Sequence, residues 1–442
     1  MLVDPPIAIS RVIAFSNAFK FAVLRGSTDG SGKAPIAHSR VIVTDGVISA
    51  VGKASELQIP AGAKVRKLTG KTVLPGLISD HSHVGQYDAT TSQPPYNQES
   101  ITRQLKQYSA YGVTTIAALG SNAPLLYEMQ RQVRSGAVVG TDLFGADRGI
   151  GVPTGAPSIN VLGAEIDRPE TPEQAREAVR ASAKRGANLI KLWLDDFLGA
   201  KLVKMKPEIY TAVIDEAHRN NLRVVGHIYY QKDAKALMRA GVDILGHGVR
   251  DSVVDDEFIQ LMRQHGTWYI LTLGVDEAFF RFAEHPDVLR KPMVRKGLNE
   301  KLLAQFSDPE WAKSQLKNLN GHFWRAGLKN NLANTKKLVD AKVNVGFGTD
   351  SGAMPLRVPG YAEHRELELL VQAGLSPAQA LTLATSRAAE LLRLSDRGEI
   401  SVGRRADLIV VDGDPTADLD AMNKIVQVYQ AGQAAELNNK PF

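Results

Sequence analysis

At both ends of the chain the hydrophobic positions fall in short runs instead of helical stripes. Over about residues 7–70 the runs RVIAF, FAVLRG, SRVIVTDG and VISAVG are rich in β-branched side chains and are broken by Gly, Asp and Ser. That is the pattern of strands joined by turns. The same texture returns over about 397–436 in GEISVG, ADLIVVDG and KIVQVYQAG. Neither end is large enough for a core of its own. The expectation is one small β-sandwich closed by both termini, residues 1–70 with 397–442.

Between the ends the pattern alternates strand with helix, which predicts a parallel sheet. The strand candidates are TVLPGLISD (72–80), VTTIAAL (113–119), TDLFGA (141–146), NLIKLWL (188–194), LRVVGHIY (222–229), DILGHG (243–248), WYILTL (268–273) and NVGFGT (344–349). PEQAREAVRASAKRG and PEIYTAVIDEAHRNN each open with proline in the first turn, a helix start signal. Eight such strands predict an α/β fold, a (β/α)8 TIM-like barrel over 71–396. An open doubly wound sheet is the alternative, but no Gly-rich dinucleotide loop opens the first helix. The stretch 275–342 is too long for one connection and carries Phe279, Phe280, Phe282, Trp311, Phe323 and Trp324. It reads as a helical insertion after the seventh strand, either a lid over the catalytic end or a peripheral packing or oligomer element.

Composition narrows the chemistry. The 442 residues include no cysteine, which excludes a disulfide framework and a thiol nucleophile. Any metal must be held by histidine, carboxylate or a lysine-derived group. The apolar runs are too short to cross a bilayer. The opening MLVDPPIAIS lacks a basic region followed by a long apolar stretch, so no signal peptide is expected and a cytoplasmic location follows. Net charge is +6, and its excess lies between Arg281 and Lys342, with thirteen basic against six acidic residues. These are spread along helical segments, the pattern of a solvated face, so neither nucleic acid nor a membrane is expected as partner.

Four of the ten histidines fall at candidate strand ends. His81 and His83 follow the first strand two apart, hence on one face. His227 ends the fifth strand, His247 the sixth, and Asp350 follows the eighth. The C-terminal ends of barrel strands converge at one mouth, so these residues would meet as ligands for zinc or a similar divalent ion. Lys191, inside the fourth strand, would face the same point. As an ammonium it would repel a cation, but carboxylation by carbon dioxide would turn it into an anionic bridge between two ions. The alternative is a lysine that snorkels to solvent or pairs with Asp195 or Asp196.

With GKTVLPGLISDHSH (70–83), ANLIKLW (187–193), VVGHIYY (224–230), DILGHG (243–248) and FGTDSG (347–352) in place, the chain resembles the amidohydrolase superfamily of metal-dependent hydrolases. VIVTDGVISAVG and GEISVGRRADLIVVDGDP are similar to its composite sandwich. The resemblance implies two divalent metal ions, zinc by default. His81, His83 and Asp350 would bind one, His227 and His247 the other, and carboxylated Lys191 would bridge both. It further implies a hydroxide between the ions as nucleophile, with Asp350 moving its proton to the leaving amine. Tyr229, two beyond His227, would either donate to the developing oxyanion or pack.

GTDSG followed by EHRELELLVQAGLSPAQAL (363–381) resembles the imidazolonepropionase-like and dipeptidase-like group, near phenylurea and molinate hydrolases. That implies hydrolysis of a carbonyl–nitrogen bond in an amide, urea, carbamate or dipeptide-like substrate. Dipeptidase members usually carry a histidine in the loop after the third strand. Here that loop, GADRGIGVPTGAP (145–157), has Arg148 as its only cation, which tilts the expectation toward neutral substrates. Arg148 could still clamp a carboxylate, and Arg250 reads either as a carboxylate anchor or as an ion pair with Asp251. His364 reads as a helix-surface residue. The competing readings are a lactonase or phosphotriesterase on the same site, a mononuclear deaminase-like hydrolase that leaves Lys191 idle, and a scaffold without chemistry. By analogy with such barrels a homo-oligomer is expected.

Overall fold

The computed structural model of the chain describes residues 19–23, 26–27, 29–33, 36–87, 96–158, 166–197, 202–318 and 321–437. The run RVIAF lies outside them. Two sheets draw on the chain ends. One has the order Val47–Lys53, Ser39–Thr44, Phe19–Val23, Lys64–Leu68. The other runs Gln433–Ala434, Ile425–Gln430, Leu408–Asp412, Lys71–Pro75, Gly26–Ser27. A buried cluster that includes Val41, Val43, Ile48, Val73, Leu408, Val410 and Tyr429 draws on both sheets.

The predicted strand 72–80 is in fact two. Lys71–Pro75 pairs antiparallel with Leu408–Asp412, and Leu77–Ser82 starts a parallel sheet. Gly76 separates them because a Cβ there would sit 2.1 Å from Thr114 Oγ1. GEISVG is not a strand. Ile400 buries its side chain in the cluster of the end sheets while its amide donates to the Asp29 carbonyl. The strand Lys64–Leu68 carries no apolar signal; it is a mostly exposed edge.

The middle of the chain alternates parallel strands with helices. Leu77–Ser82, Val113–Ala118 and Asp142–Gly145 form one sheet. Ile190–Trp193, Val224–His227, Ile244–Leu245, Trp268–Ile270 and Val345–Gly346 form another. The two sheets hydrogen bond to each other at both edges. The Asn188 amide donates to Gly145, and the Asp80 amide donates to Phe347 at 2.7 Å. Leu77–Ser82 and Val113–Ala118 are buried at every position, as strands covered on both faces must be. The helix Pro172–Arg185 starts where the sequence places it: Thr171 and Gln174 form a capping box, proline fills the first turn, and Gly186 ends it at φ 94.

Residues 275–342 fold as several helices, ending in Gly321–Asp340. That last helix is tied to the loop after His247: Asn334 donates to the carbonyls of Val249 and Ser252, and its Oδ1 accepts from the Val254 amide. It is not a loose appendage.

Buried charge joins the parallel sheet to the C-terminal strands. Asp142 Oδ2 accepts from Arg397 Nη1 at 2.6 Å and from Arg405 Nη1 at 3.0 Å. Burial alone would raise the Asp142 carboxyl, but the two guanidinium groups outweigh it and hold the group below its ordinary value. The unfolded chain therefore binds the proton more readily than the folded one. The stabilisation is whole above the ordinary aspartate value of about 3.9 and is lost as pH falls through the depressed one. Urea midpoints measured from pH 6 to pH 3 should fall, and an Asp142→Asn variant should start about 3–5 kcal/mol lower and fall less steeply. Equal slopes would place the acid sensitivity elsewhere.

Candidate metal centre

The strand ends carry the chemistry. His81 sits in the last turn of pleat of Leu77–Ser82, His83 follows it, and His227 closes Val224–His227. His247 lies just past Ile244–Leu245, Lys191 lies within Ile190–Trp193, and Asp350 follows Val345–Gly346. All six are buried. Asp350 adopts φ 57, a left-handed conformation that aspartate tolerates better than most residues. Its amide donates to the His81 carbonyl at 2.9 Å. Glu363, fully buried, accepts from Thr349 Oγ1 and Ser351 Oγ at 2.6 Å each and so fixes the residues on either side of Asp350.

Asp350 Oδ1 lies 2.7 Å from His83 Nε2 and 3.3 Å from His81 Nε2. Ligand atoms of these three residues all lie within 4.8 Å of one another. His81 Nδ1 donates to the Gly246 carbonyl at 2.6 Å, which leaves the Nε2 lone pair for a cation. His247 meets His81 and His227 with ring centroids 4.4 and 4.5 Å apart, and its Nδ1 lies 3.2 Å from Thr272 Oγ1. Lys191 Nζ is 3.5 Å from His81 Nε2. Among the described residues it makes no ion pair with Asp195 or Asp196 and does not reach solvent. Room for it comes partly from Gly246, where a Cβ would stand 3.3 Å from Nζ.

Burial first, and the Lys191 ammonium after it, holds His81 and His227 well below the usual histidine value; His247 is lowered by burial and then by its two histidine neighbours. These rings are neutral at pH 7, the form that ligates a metal. Burial pulls Lys191 down to about 8. Burial would raise Asp350, but the Arg357 guanidinium together with the His83 and His81 rings outweighs it and keeps the carboxylate ionised. Arg357 is buried, pairs with Asp350 Oδ2, and donates to the Val275 carbonyl.

Several residues sit differently from the sequence reading. Arg250 pairs with Asp276 Oδ1 at 2.9 Å, not with Asp251. Its guanidinium is buried and needs a buried acid, whereas Asp251 is exposed and accepts from the Gln231 amide. His364 is not on a helix surface: it is buried, and its Nε2 meets the Tyr111 carbonyl at 2.8 Å. Tyr229 lies beyond the end of its strand, with Phe323 stacked at 5.2 Å and Arg250 4.8 Å from its ring centroid. Burial raises its phenol above the ordinary value. Arg148 lies in the loop after Asp142–Gly145 and is 3.9 Å from Asp167.

Sequence reasoning did not reach Arg357, Asp276, Glu363 or Thr272. It saw Asp195 only as a partner for Lys191. The carboxylate of Asp195 is fully buried, and its Oδ2 lies 3.5 Å from His227 Nε2. Neither atom has a hydrogen-bond partner among the described residues. Burial pushes the Asp195 carboxyl up to about 7. A buried oxygen and nitrogen so placed are satisfied by a shared proton or by a cation, and the donor set fits divalent metal ions.

A fold of parallel strands with histidines and acids gathered at their C-terminal ends defines a hydrolase of the metal-dependent class. The chain belongs to the amidohydrolase family, whose profile matches residues 72–435, and is an enzyme that acts on carbon–nitrogen bonds. It is 24% identical to ochratoxinase from Aspergillus niger, over 96% of this chain and 88% of that protein. A putative prolidase from Bifidobacterium longum superposes with TM-score 0.75 at 28% identity, covering 96% of each chain. Molinate hydrolase superposes with TM-score 0.73 at 18% identity, covering 95% of each. The family uses metal ions, and His81, His83 and Asp350 form a group able to hold one. No helix among the described residues is long and apolar enough to cross a membrane.

Proposed function

We propose that the chain is a two-metal amidohydrolase that cleaves a carbonyl–nitrogen bond in an aromatic amide, urea or carbamate. The observation that carries this reading is the meeting of four histidines, Lys191 and Asp350 at the C-terminal ends of parallel strands that are far apart in sequence. We read residues 71–396 as a (β/α)8 barrel with a helical insertion at 275–342, and residues 1–70 with 397–442 as the composite sandwich. His81, His83 and Asp350 would hold one ion and His227 and His247 the other, with Lys191, carboxylated by carbon dioxide, between them. Zinc suits so nitrogen-rich a set.

Bound ions of this kind lower the pKa of water to about 7 and polarise a carbonyl. The chain's own groups do the rest. Asp350 Oδ1, facing the ligand side, accepts a proton there and returns it to the departing nitrogen. Arg357 occupies Oδ2 and so keeps the reacting oxygen pointed at His81 and His83. The Tyr229 phenol, held un-ionised by burial, would donate a hydrogen bond to an oxyanion.

The substrate reading rests on the wall around the site. From Tyr229 the rings run to Phe323 at 5.2 Å, on to Trp324 at 5.2 Å, and to Phe279 at 4.0 Å. Phe279 in turn covers Arg357, the partner of Asp350. The insertion thus reaches the site as an aromatic arc. Arg250 and Arg357 already face Asp276 and Asp350, which removes the readiest anchors for a substrate carboxylate. Zinc-replete enzyme supplied with bicarbonate should turn over a neutral aryl carbamate or aryl urea in preference to an N-acyl amino acid of similar bulk. In a Trp324→Ala variant KM for the aryl substrate should rise about tenfold, the worth of roughly 1.4 kcal/mol of aromatic contact, with a smaller change in kcat. Preference for the acid, unchanged by that substitution, would overturn the substrate reading and return Arg148 to the role of anchor.

A further inference from the structure

The ligand set implied by the family leaves one buried acid at the site unused. Asp195 follows Ile190–Trp193, the strand of Lys191, and its side chain is fully buried. Its two oxygens are in different situations. Oδ1 accepts from the Phe197 amide at 2.9 Å, which fixes the plane of the carboxylate. Oδ2 has no hydrogen-bond partner among the described residues, and neither has His227 Nε2, 3.5 Å away. An unpaired buried carboxylate oxygen is costly, and a cation shared with the imidazole nitrogen removes that cost. Two ligand atoms each about 2.1 Å from a tetrahedral ion lie about 3.4 Å apart. The Asp195–His227 separation matches that spacing, as does the 3.3 Å between Asp350 Oδ1 and His81 Nε2 on the other side of the site.

We propose that Asp195 is a metal ligand, binding through Oδ2 the ion that His227 holds. Each ion then has its own aspartate: Asp350 with His81 and His83, Asp195 with His227. The charge of the second ion is partly balanced by the Asp195 carboxylate, whatever the state of Lys191. The inference rests on the two-metal reading above and adds one ligand to it.

The test is Asp195→Asn in the full-length protein. Asparagine keeps Oδ1 for the Phe197 amide and replaces Oδ2 with an amide nitrogen that does not ligate, so the fold has no reason to change; equal thermal midpoints of the metal-free proteins check this. Metal content after dialysis and calorimetric zinc titration give the readout, with the visible spectrum of the cobalt-substituted protein as a second. Wild type should hold two ions per chain. Asp195→Asn should keep the tighter one, lose the second by more than the about 10–100-fold that an outer partner costs, and alter the cobalt bands. Two ions with affinity within that range and an unchanged spectrum would make Asp195 only an outer partner of His227 and overturn the assignment. Fewer than two ions in wild type would overturn the two-metal reading itself, and the assignment with it.

Discussion

Asp350→Asn should lower turnover by about 10²–10⁴-fold, the worth of a positioned acid–base group. The carboxylate stands 2.7 and 3.3 Å from two histidine nitrogens and presents one oxygen to them. An amide in its place offers a weaker donor to a cation and accepts no proton. The substitution has a second effect, because the other oxygen holds the buried Arg357 guanidinium. Removing one partner of a buried pair typically costs about 3–5 kcal/mol, so the thermal midpoint should fall as well. Adding Arg357→Met removes the stranded cation and should recover most of the stability while leaving turnover low. The two variants together separate the chemistry of Asp350 from its part in the fold. Turnover within about tenfold of wild type in Asp350→Asn would take the residue out of the reaction.

Lys191→Met decides between one working ion and two. Methionine fills the space of the lysine stem, which is packed against Gly120, and removes only the nitrogen. Deleting a buried ammonium that makes no ion pair among the described residues should not destabilise the metal-free protein. Metal affinity, by contrast, should fall by more than about 100-fold and turnover should fall with it, because a bridging ligand acts on both ions. Wild-type protein reconstituted without carbon dioxide should behave in the same way until bicarbonate is added. A Lys191→Met protein that keeps most of its metal and activity, with no response to bicarbonate in wild type, would mean a single-ion site and an idle lysine.

The part of the site legible in the sequence is the part written by local rules. His81, Lys191 and His227 lie in strands whose apolar runs announce themselves, and His83, His247 and Asp350 lie within a few residues of such strands. Parallel strands ending at one mouth then bring them together without any knowledge of packing. Helix starts at Pro172 and Pro207 were legible for a similar reason, since capping and proline act within one turn. Other elements carry no local signal. Lys64–Leu68 is a polar edge, held by its pairing with Phe19–Val23. GEISVG has the composition of a strand yet pairs with no strand among the described residues, and its isoleucine serves the core from a loop. The segment 275–342 announces helices, but nothing local says that Phe279, Phe323 and Trp324 line up beside Tyr229.

The sequence by itself determined the alternation of strand and helix, the pairing of both chain ends in one region, and the residues offered at the strand termini. Each follows from periodicity or from neighbours a few residues away. Tertiary structure alone decided the partners of the buried charges. Arg250 chose Asp276 over the adjacent Asp251, Arg357 took the free oxygen of Asp350, and Asp195 came to face His227 instead of Lys191. A buried ion must find an opposite charge or a cation within a few ångströms, and which one it meets depends on how distant loops pack against each other.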